Sequence, residues 1–562
     1  MSFIDKTLNI IAPGIAAKRE QAKTEIVRQQ AVRAVTSQLI GSHGSNGRGY
    51  GKHGASTTKS SMLFWQTPAG DADVDIHQNV PKLRERARDL HMGTDIVAAA
   101  HKGLRTNIVG TGLRLNPAFD AKFLGLDEVK AEELRSSIQR EWSLWADTTK
   151  CDAAGLSDFY QLQALAFIST MMSGDVFALM PIKKRQWSVY DLKVNLIEAD
   201  RCATPPEKVL KDREMIQSGV EVDADGMVVA YHFSNRHPGA DGYSLSGTDE
   251  WVRVEKYGKR TGRVNVLHLF EAERPGQRRG IPVIAPIIES LKQLSQYTNA
   301  ELAAAVITSM YTVFITTPAD DEGGSPFDGV GMDDDDLDGS ENVPGSSGDE
   351  IKLGQGAIMR TDPGEDVKFA DPTRPNPNYE AFVRAMLKQM AAALELPYEI
   401  LTKQFTSSYS ASRGALLEAW KMYRMRRSWL SKSFCQPIYE EWFVEAVLKR
   451  RIKAPGIFDD PAIFAAYTKA EWHGPSQGLL DPTKEVDAAV KRMDNNLSTA
   501  TRETAEINGG SWEDNVRQRA YEKTRLKELG LTESSSVSAT SVTPPKPSEE
   551  GEEDNDDEEG GD

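Results

Sequence analysis

The chain has 562 residues and a formal net charge of −16. That length is too great for one small hydrophobic core and predicts several packed units. The three cysteines, Cys151, Cys202 and Cys435, are too few and too scattered for a disulfide framework or a zinc cluster. No segment is long and uncharged enough to span a bilayer, and the first residues lack the apolar run of a signal peptide. The sequence predicts a soluble protein of a reducing compartment.

The negative charge is concentrated in two segments. Residues 320–350 hold 12 acidic and no basic side chains, and residues 549–562 hold 10 acidic and none basic. Setting these 22 charges aside turns the net charge of −16 into +6 for the rest of the chain. A dedicated duplex-binding protein carries a dense basic stripe, because its affinity grows with the number of phosphates it neutralises. The charge balance predicts weak contact with nucleic acid or none.

The first 60 residues hold nine basic side chains against three acidic ones. Residues 14–40 have the pattern of an amphipathic helix, and the glycine-rich residues 41–56 are typical of a flexible segment. Gly51 and Lys52 resemble the end of a phosphate-binding loop. However, Asn46 stands where the first glycine belongs, and His53 stands where Ser or Thr would hold magnesium. We predict a basic flexible arm without a nucleotide site.

Three arginines, Arg84, Arg86 and Arg88, follow Val80 on a predicted helix. They could contact phosphates or carboxylates of a neighbouring subunit, or they could simply form a solvated helix face. A second apolar helix comes next, and Gly110 and Gly112 then predict a turn into a strand.

The middle of the chain predicts mixed α and β structure. A helix carries Trp142 and Trp145, a strand lies near residues 194–197, and a hairpin turns at Asp225–Gly226. His232, His237 and His268 fit no metal-ligand spacing, so they are interpreted as structural side chains.

A helical pattern runs from about 285 to 310, roughly 39 Å at ~1.5 Å per residue. Further along the chain, a short polar and aromatic loop interrupts two other helical patterns. The loop, Leu396–Ser410, has Lys403 as its only base and Glu399 as its only acid.

A long helical pattern opens directly from that loop. Ser412 can cap its start, and Pro437 should kink it, because proline lacks the amide hydrogen and its ring strikes the preceding turn. Lys421, Arg424 and Arg427 share one face of this pattern. The apolar side chains fall on another stripe: Leu416, Leu417, Trp420, Tyr423, Leu430, Phe434, Ile438 and Trp442.

Five segments in shared order resemble the lambda-type phage portal proteins. They are ARDLHMGTDIVAAAHKGLRTNIVGTGLRL, SGDVFALMP, HLFEAERPGQRRGIPVIAPII, LELPYEILTKQFTSSYSASRGALLEAW and GLLDPTKEVDAAVKR, within about Leu83 to Leu531. The resemblance implies a helix-rich, mixed α+β, elongated portal subunit with a long kinked central helix.

The resemblance also implies a division of the chain into regions. After the arm at 1–60 come a wing (61–275), a stem helix (276–310), a clip (311–378), a second stem helix (379–396), a tunnel loop (397–409), a long wing helix (410–455) and a crown (456–535). The polar, glycine-rich stretch 319–350 departs from the expected clip, and we interpret it and the tail 536–562 as disordered acidic segments.

Functional residues follow from that division as expectations, with no catalytic residue, cofactor or metal. The expected tunnel-loop contacts to DNA are Lys403, Gln404, Phe405, Thr406, Ser407 and Ser408. The expected stem residues are Lys292, Gln293, Gln296, Arg384 and Lys388. The expected subunit interface contains Arg84, Arg86, Arg88, Arg424 and Arg427.

The implied function is a non-enzymatic channel. A ring of typically twelve copies would sit at one capsid vertex of the virion, after assembly in the host cytoplasm. Double-stranded DNA would be packaged through it by the terminase large subunit, without sequence preference, and later ejected. Head-tail connector proteins, capsid proteins and scaffold proteins are the other implied partners, and no membrane is involved. Two alternatives stay open, a packaging enzyme (nuclease or ATPase) and a structural adaptor of the virion without a channel.

Overall fold

The computed structural model describes residues 53–57, 59–65, 67, 69–208, 215–240, 250–309, 313–315, 358–360, 378–405, 408–477, 482–508, 510 and 512–530. The chain divides into two compact units, Met1–Asp71 and Ala72–Asp562. The described part of the first unit contains turns. The predicted arm helix at 14–40 and the acidic segments 319–350 and 536–562 lie outside the described residues.

The second unit is a mixture of helices and strands, as predicted. The helix carrying Trp142 and Trp145 is present. The expected first stem helix, predicted over 276–310, is α-helical only from Ile288 and follows a short 3₁₀ turn at Ala285–Ile287. The described α-helices are α1 (Ala72–His77), α2 (Val80–Gly93), α3 (Asp95–Ile108), α4 (Glu128–Ala146), α5 (Phe159–Ser173), α6 (Ile288–Ser309), α7 (Tyr379–Ala393), α8 (Tyr398–Thr402), α9 (Tyr409–Leu430), α10 (Gln436–Leu448), α11 (Pro461–Thr468), α12 (Pro482–Asp494), α13 (Ala500–Asn508) and α14 (Trp512–Glu528).

The strands form small sheets. The described strands are β1 (Arg114–Pro117), β2 (Asp175–Leu179), β3 (Asn195–Glu198), β4 (Ile216–Gln217), β5 (Val220–Val222), β6 (Val228–Ser234), β7 (Trp251–Glu255), β8 (Val266–Phe270), β9 (Val313–Ile315), β10 (Ile358–Arg360) and β11 (Ala470–His473). Two antiparallel sheets have the orders β3-β2-β8 and β4-β5-β6-β7. The pair β1-β11 is antiparallel, and the pair β9-β10, within the expected clip, is parallel.

Glycines form the turns that the sequence predicts. Gly110 and Gly112 have positive φ angles of 58° and 108° just before β1, and Gly226 has a φ of 81° between β5 and β6. These angles suit glycine, which has no Cβ to clash with the backbone. The predicted glycine turn before β1 and the predicted hairpin at Asp225–Gly226 are therefore confirmed.

An aromatic cluster joins helices from distant parts of the chain. The rings of Trp142 on α4 and Trp442 on α10 meet edge to face at 5.0 Å, and Phe159 on α5 stacks on Phe434 at 5.8 Å. All four side chains are buried. Edge-to-face and offset aromatic pairs add to the free energy of burial. This cluster fixes the carboxyl-terminal half of the long helix against the expected wing.

The long helix changes its hydrogen-bond spacing close to Pro437, where a kink is predicted. A π-helical segment, Ser431–Cys435, separates α9 from α10, and Pro437 lies two residues after it. Proline has no amide hydrogen to donate to the carbonyl four residues earlier. A π segment changes the hydrogen-bond spacing at that point, so the helix continues past the proline.

The start of this long helix differs from the prediction. Ser408, and not Ser412, is its amino-terminal cap, because the Ala411 amide donates to the Ser408 hydroxyl at 3.4 Å. The Ser412 amide already donates to the Ser408 carbonyl at 2.9 Å inside the helix. A capping residue must have non-helical backbone angles, which Ser408 has and an interior residue lacks.

Most of the predicted apolar stripe is buried. Leu430, Phe434, Ile438 and Trp442 have no exposed surface, but Leu417 is 47% exposed. Successive helical residues point about 100° apart. Leu417 therefore lies at the exposed edge of the predicted stripe and outside the hydrophobic core.

Asp175, the first residue of β2, is fully buried and binds charged groups from several elements. Its Oδ1 accepts from Arg84 Nη2 at 3.0 Å, and its Oδ2 accepts from Arg279 Nε at 2.5 Å and lies 3.1 Å from His268 Nε2. Burial alone would raise the pKa of Asp175, but the Arg279 and Arg84 guanidinium groups hold that pKa well below its usual range. The carboxylate stays ionised in the protein interior.

Arg279 completes this network by donating to backbone carbonyls. Its guanidinium donates to the carbonyls of Cys202, Ser218 and Ala199 at 2.7, 2.8 and 2.8 Å. At the next residue, a Cβ on Gly280 would lie 2.0 Å from the Gly174 carbonyl oxygen. The ion pair between Arg279 and Asp175 and the close backbone contact at Gly280 together fix the segment that leads into α6.

The substitution Asp175→Asn should lower the free energy of unfolding by about 3–5 kcal/mol, because it leaves two buried guanidinium groups without their carboxylate. The folded-state pKa is depressed, so the contribution is fully present above a pH of about 4, the unfolded value, and is lost as pH falls through the folded pKa. Urea unfolding followed by tryptophan fluorescence should give the same loss at pH 5 and pH 8.

The control is Glu85→Gln on α2, whose exposed i,i+3 pair with Lys82 should contribute less than about 0.5 kcal/mol. Equal losses for the two variants would contradict a structural role for the Asp175 charge.

Candidate functional site: the expected channel loop

The loop between the expected stem and the long helix begins at a sharp chain reversal. Helix α7 ends at Ala393, and Glu395 has a left-handed backbone with a φ of 58°. The Leu396 amide then donates to the Ala391 carbonyl at 2.9 Å, which closes the helix end in the manner of a carboxyl-terminal capping turn. The direction of the loop is therefore set by hydrogen bonds of α7.

The first part of the predicted loop is helical. Tyr398–Thr402 forms the single turn α8 after Pro397, and the Leu401 amide donates to the Pro397 carbonyl at 3.1 Å. Proline favours the start of a helix because its φ is already helical and it has no amide to satisfy. The irregular loop is therefore shorter than 397–409, and it begins at Lys403.

Apolar side chains anchor α8 in the subunit. Leu396 and Leu401 are buried, and a cavity of about 220 Å³ lies between the loop, α3 and α9. Its lining includes Leu104 of α3 and Trp420 of α9. Exclusion of Leu396 and Leu401 from water stabilises the base of the loop by about 1.5–3 kcal/mol for each side chain. The loop base belongs to the core.

The tip of the loop is polar and exposed. Lys403 ends α8 in a left-handed conformation with a φ of 57°, and Lys403, Gln404 and Ser408 are exposed. Phe405 is 51% exposed although it borders the cavity. Two further predicted contacts, Thr406 and Ser407, lie outside the described residues. One basic side chain among neutral ones can make only weak contacts with phosphates.

The two expected stem helices contact each other through aromatic rings. Tyr297 of α6 lies 5.6 Å from Tyr379 and 5.0 Å from Phe382 of α7, measured between ring centroids. The Lys388 ammonium group lies 5.8 Å from the centre of the Tyr398 ring, which connects α7 to α8. The predicted stem residues are all exposed: Lys292, Gln293, Gln296, Arg384 and Lys388.

The arginines predicted for a subunit interface fall into two groups. Arg86 and Arg424 are exposed, and their role stays a prediction. Arg84 is buried against Asp175, and Arg88 pairs with Asp200. Arg427 donates to the carbonyls of Ile108 and Asn107 at 3.1 and 3.0 Å.

Assigning Arg84 to a subunit interface was therefore wrong, because its guanidinium is bound inside the same chain. Arg88 and Arg427 also use their charge within the subunit. A three- and four-residue spacing shows which helix face a residue shares, but it does not show whether that face meets solvent or another element.

Histidines in the middle of the chain contact carboxylates. His232 lies 2.8 Å from Glu221, and His268 lies 3.1 Å from Asp175. Burial lowers the pKa of both histidines despite these partners. Within the described ranges, no group of three or more metal-ligating side chains is close enough to hold an ion. Of the helices that the structure describes, none has the length and apolar character needed to cross a membrane.

Sequence reasoning missed the charged residues that control the subunit's interior. Asp175 and Arg279 lie 104 positions apart, and Arg426 of α9 is buried between elements that are distant in sequence. The left-handed backbone of Glu395 was not predicted either, because the residues around it show only the general pattern of a helix end.

A family profile described as phage portal protein, lambda family, matches residues 58–427, more than half of the chain. The matched range contains α6, α7, the loop and most of α9. The portal protein of Escherichia phage N15 is 24% identical over 506 residues, covering 88% of this chain and 92% of the relative. Portal protein B of Escherichia phage lambda is 23% identical over 495 residues, covering 86% and 91%.

Two solved structures are also similar to the chain. One is the neck of an empty gene transfer agent particle with C6 symmetry, at 12% identity and a TM-score of 0.36, covering 76% of this chain and 94% of that one. The other is the virion of a native gene transfer agent particle, at 12% identity and a TM-score of 0.34, covering 76% and 93%.

The substitution Leu401→Ala should lower the free energy of unfolding by about 2–5 kcal/mol, because it leaves a cavity at the base of the loop. The matched variant Phe405→Ala removes a half-exposed ring and should cost less than about 1 kcal/mol. Thermal unfolding of the two variants beside the unchanged protein measures the difference. A larger loss for Phe405→Ala would mean that the tip, and not α8, holds the loop in place.

Proposed function

This chain belongs to the lambda family of phage portal proteins, and we propose that twelve copies of it form a ring with a central channel at one vertex of the capsid. Double-stranded DNA is packaged into the virion through this channel and later leaves through it. The observation that carries the proposal is the family match over residues 58–427, which spans the stem helices and the loop.

A ring of identical subunits needs two different surfaces that fit each other, because each copy meets its neighbour through a heterologous contact. The stem helices supply dissimilar faces. Leu302 of α6 and Phe382 of α7 are 63% and 48% exposed, whereas Arg384 and Lys388 present charge on α7. In our proposal the apolar face of one stem packs against a neighbouring copy, and Arg86 and Arg424 form further contacts between subunits.

The expected tunnel loop suits a channel through which DNA slides. Each persistent contact between a lysine and a phosphate adds to the free energy that must be overcome for the duplex to move. Lys403 is the one basic side chain between Leu396 and Ser410, and it is exposed beside Gln404 and Phe405. We assign to this loop the narrowest ring of the channel, where its contacts with the backbone of DNA are weak and independent of sequence.

The remaining regions are assigned to partner binding. The parallel pair β9-β10 lies in the expected clip, which we propose contacts the terminase large subunit during packaging and head-tail connector proteins afterwards. The wing and crown would contact capsid and scaffold proteins during assembly in the host cytoplasm. The subunit itself acts as a conduit and not as an enzyme, so the energy for packaging comes from the terminase.

Negative-stain images of the purified protein should show rings with a central opening. The purified protein alone should neither hydrolyse ATP nor cleave DNA. Monomers or closed particles under every assembly condition tried would contradict the proposed channel. ATP turnover or DNA cleavage without partners would favour a packaging enzyme.

The double variant Lys403→Ala and Phe405→Ala should assemble into normal rings but lower the amount of DNA retained after packaging by about twofold or more, because each subunit loses a contact with the DNA backbone that opposes sliding. DNA protected from nuclease in filled capsids measures the effect. The control is Lys421→Ala, an exposed lysine on α9 that pairs with Glu418. Loss of the ring itself would show that the loop tip belongs to the core.

A further inference from the structure

Arg426 of α9 is a buried arginine without a close carboxylate. The residue is 4% exposed, and its Nε has no hydrogen-bond partner in the part of the chain that the structure describes. Its Nη1 lies 3.5 Å from the sulfur of Met171 on α5, which is a weak acceptor. A buried guanidinium that is not fully bonded costs free energy, so this position is unusual in the core.

Two glutamates lie at equal distances from this guanidinium. Glu271 Oε1 is 3.9 Å from Arg426 Nε, and Glu395 Oε2 is 3.9 Å from Arg426 Nη2. Both distances exceed the 2.7–2.9 Å of a charge-assisted hydrogen bond. The guanidinium therefore lies between two carboxylates and is tightly bonded to neither.

The two glutamates belong to different parts of the fold. Glu271 directly follows β8, in the sheet that contains Asp175, and burial raises its pKa. Glu395 lies two residues after the end of α7, at the left-handed position where the chain turns into the loop. A movement of Glu395 towards Arg426 would therefore move the start of the loop relative to the sheet.

We propose that Arg426 is a positioning residue that pairs alternately with Glu271 and Glu395 and thereby sets the position of the loop base, residues 395–402. Bonding to Glu395 holds the base towards α9, and bonding to Glu271 releases it. The claim that the tip carried by this base contacts DNA rests on the proposed function. The pairing of Arg426 with the two glutamates does not depend on it.

The two carboxylates compete for one cation, so their removal has opposite effects. In Glu395→Gln, Arg426 can pair only with Glu271, so the loop base is released. In Glu271→Gln, Arg426 can pair only with Glu395, so the loop base is held more firmly. An arginine that only fills space in the core would give changes of the same sign, or none, for the two glutamate variants.

Hydrogen exchange of the full-length protein, measured by mass spectrometry on peptides within residues 396–405, tests the proposal. The amides of Leu396 and Leu401 donate to α7 and to Pro397, so their exchange rates report opening of the loop base. Exchange should become about threefold faster in Glu395→Gln and about threefold slower in Glu271→Gln, as expected for a partly exposed ion pair. Lys421→Gln, on the exposed face of the same helix, should leave the rates unchanged.

Exchange that changes in the same direction for both glutamate variants, or matches Lys421→Gln, would overturn the proposal. When Arg426→Gln is combined with either glutamate substitution, the two double variants should have equal exchange rates. If Arg426→Gln does not fold, the two single glutamate variants still decide the question. Rings that form and package DNA while these rates do not change would reject the role of Arg426 and leave the proposed function standing.

Discussion

The subunit depends on keeping one carboxylate ionised in its interior. Asp175 has no exposed surface and receives bonds from Arg84 on α2 and Arg279 before α6, and it contacts His268 on β8. An unpaired charge at that depth costs several kcal/mol, so none of these partners can move away alone. The segment that leads into α6 is therefore fixed to the sheet β3-β2-β8 through this one charge.

A second constraint acts from the other end of the loop. The long helix runs past Pro437 by means of a π segment, and the aromatic cluster around Trp142 and Trp442 holds its carboxyl-terminal half. Its amino-terminal half leaves the loop at the Ser408 cap. The loop is thus connected to two fixed helices, and its base is anchored by Leu401. A short tip on such a base can be polar and exposed without loss of stability.

Features determined by local chemistry could be predicted from the sequence. Proline at position 437 requires an irregular helix, and Gly226 favours the left-handed angle of a hairpin, whatever the rest of the chain does. Features that depend on distant partners could not be predicted. Arg84 and Arg86 have the same local pattern, yet one is buried and the other exposed, because only the fold brings Asp175 beside the first. The same limit applies to Leu416 and Leu417. The expected role of the loop came from the resemblance to a family and not from its residue pattern.

Arg279 and Arg426 show how the same side chain can make one part of the subunit rigid and leave another part adjustable. Both are buried, but Arg279 donates to Asp175 and to three backbone carbonyls, whereas Arg426 has two carboxylates at 3.9 Å. A saturated guanidinium has one favourable arrangement, because any displacement breaks several bonds at once. An unsaturated guanidinium between two acceptors has two arrangements of similar free energy, and small forces on either glutamate can select between them. In this subunit the saturated arginine precedes α6, and the unsaturated one lies beside the turn from α7 into the loop.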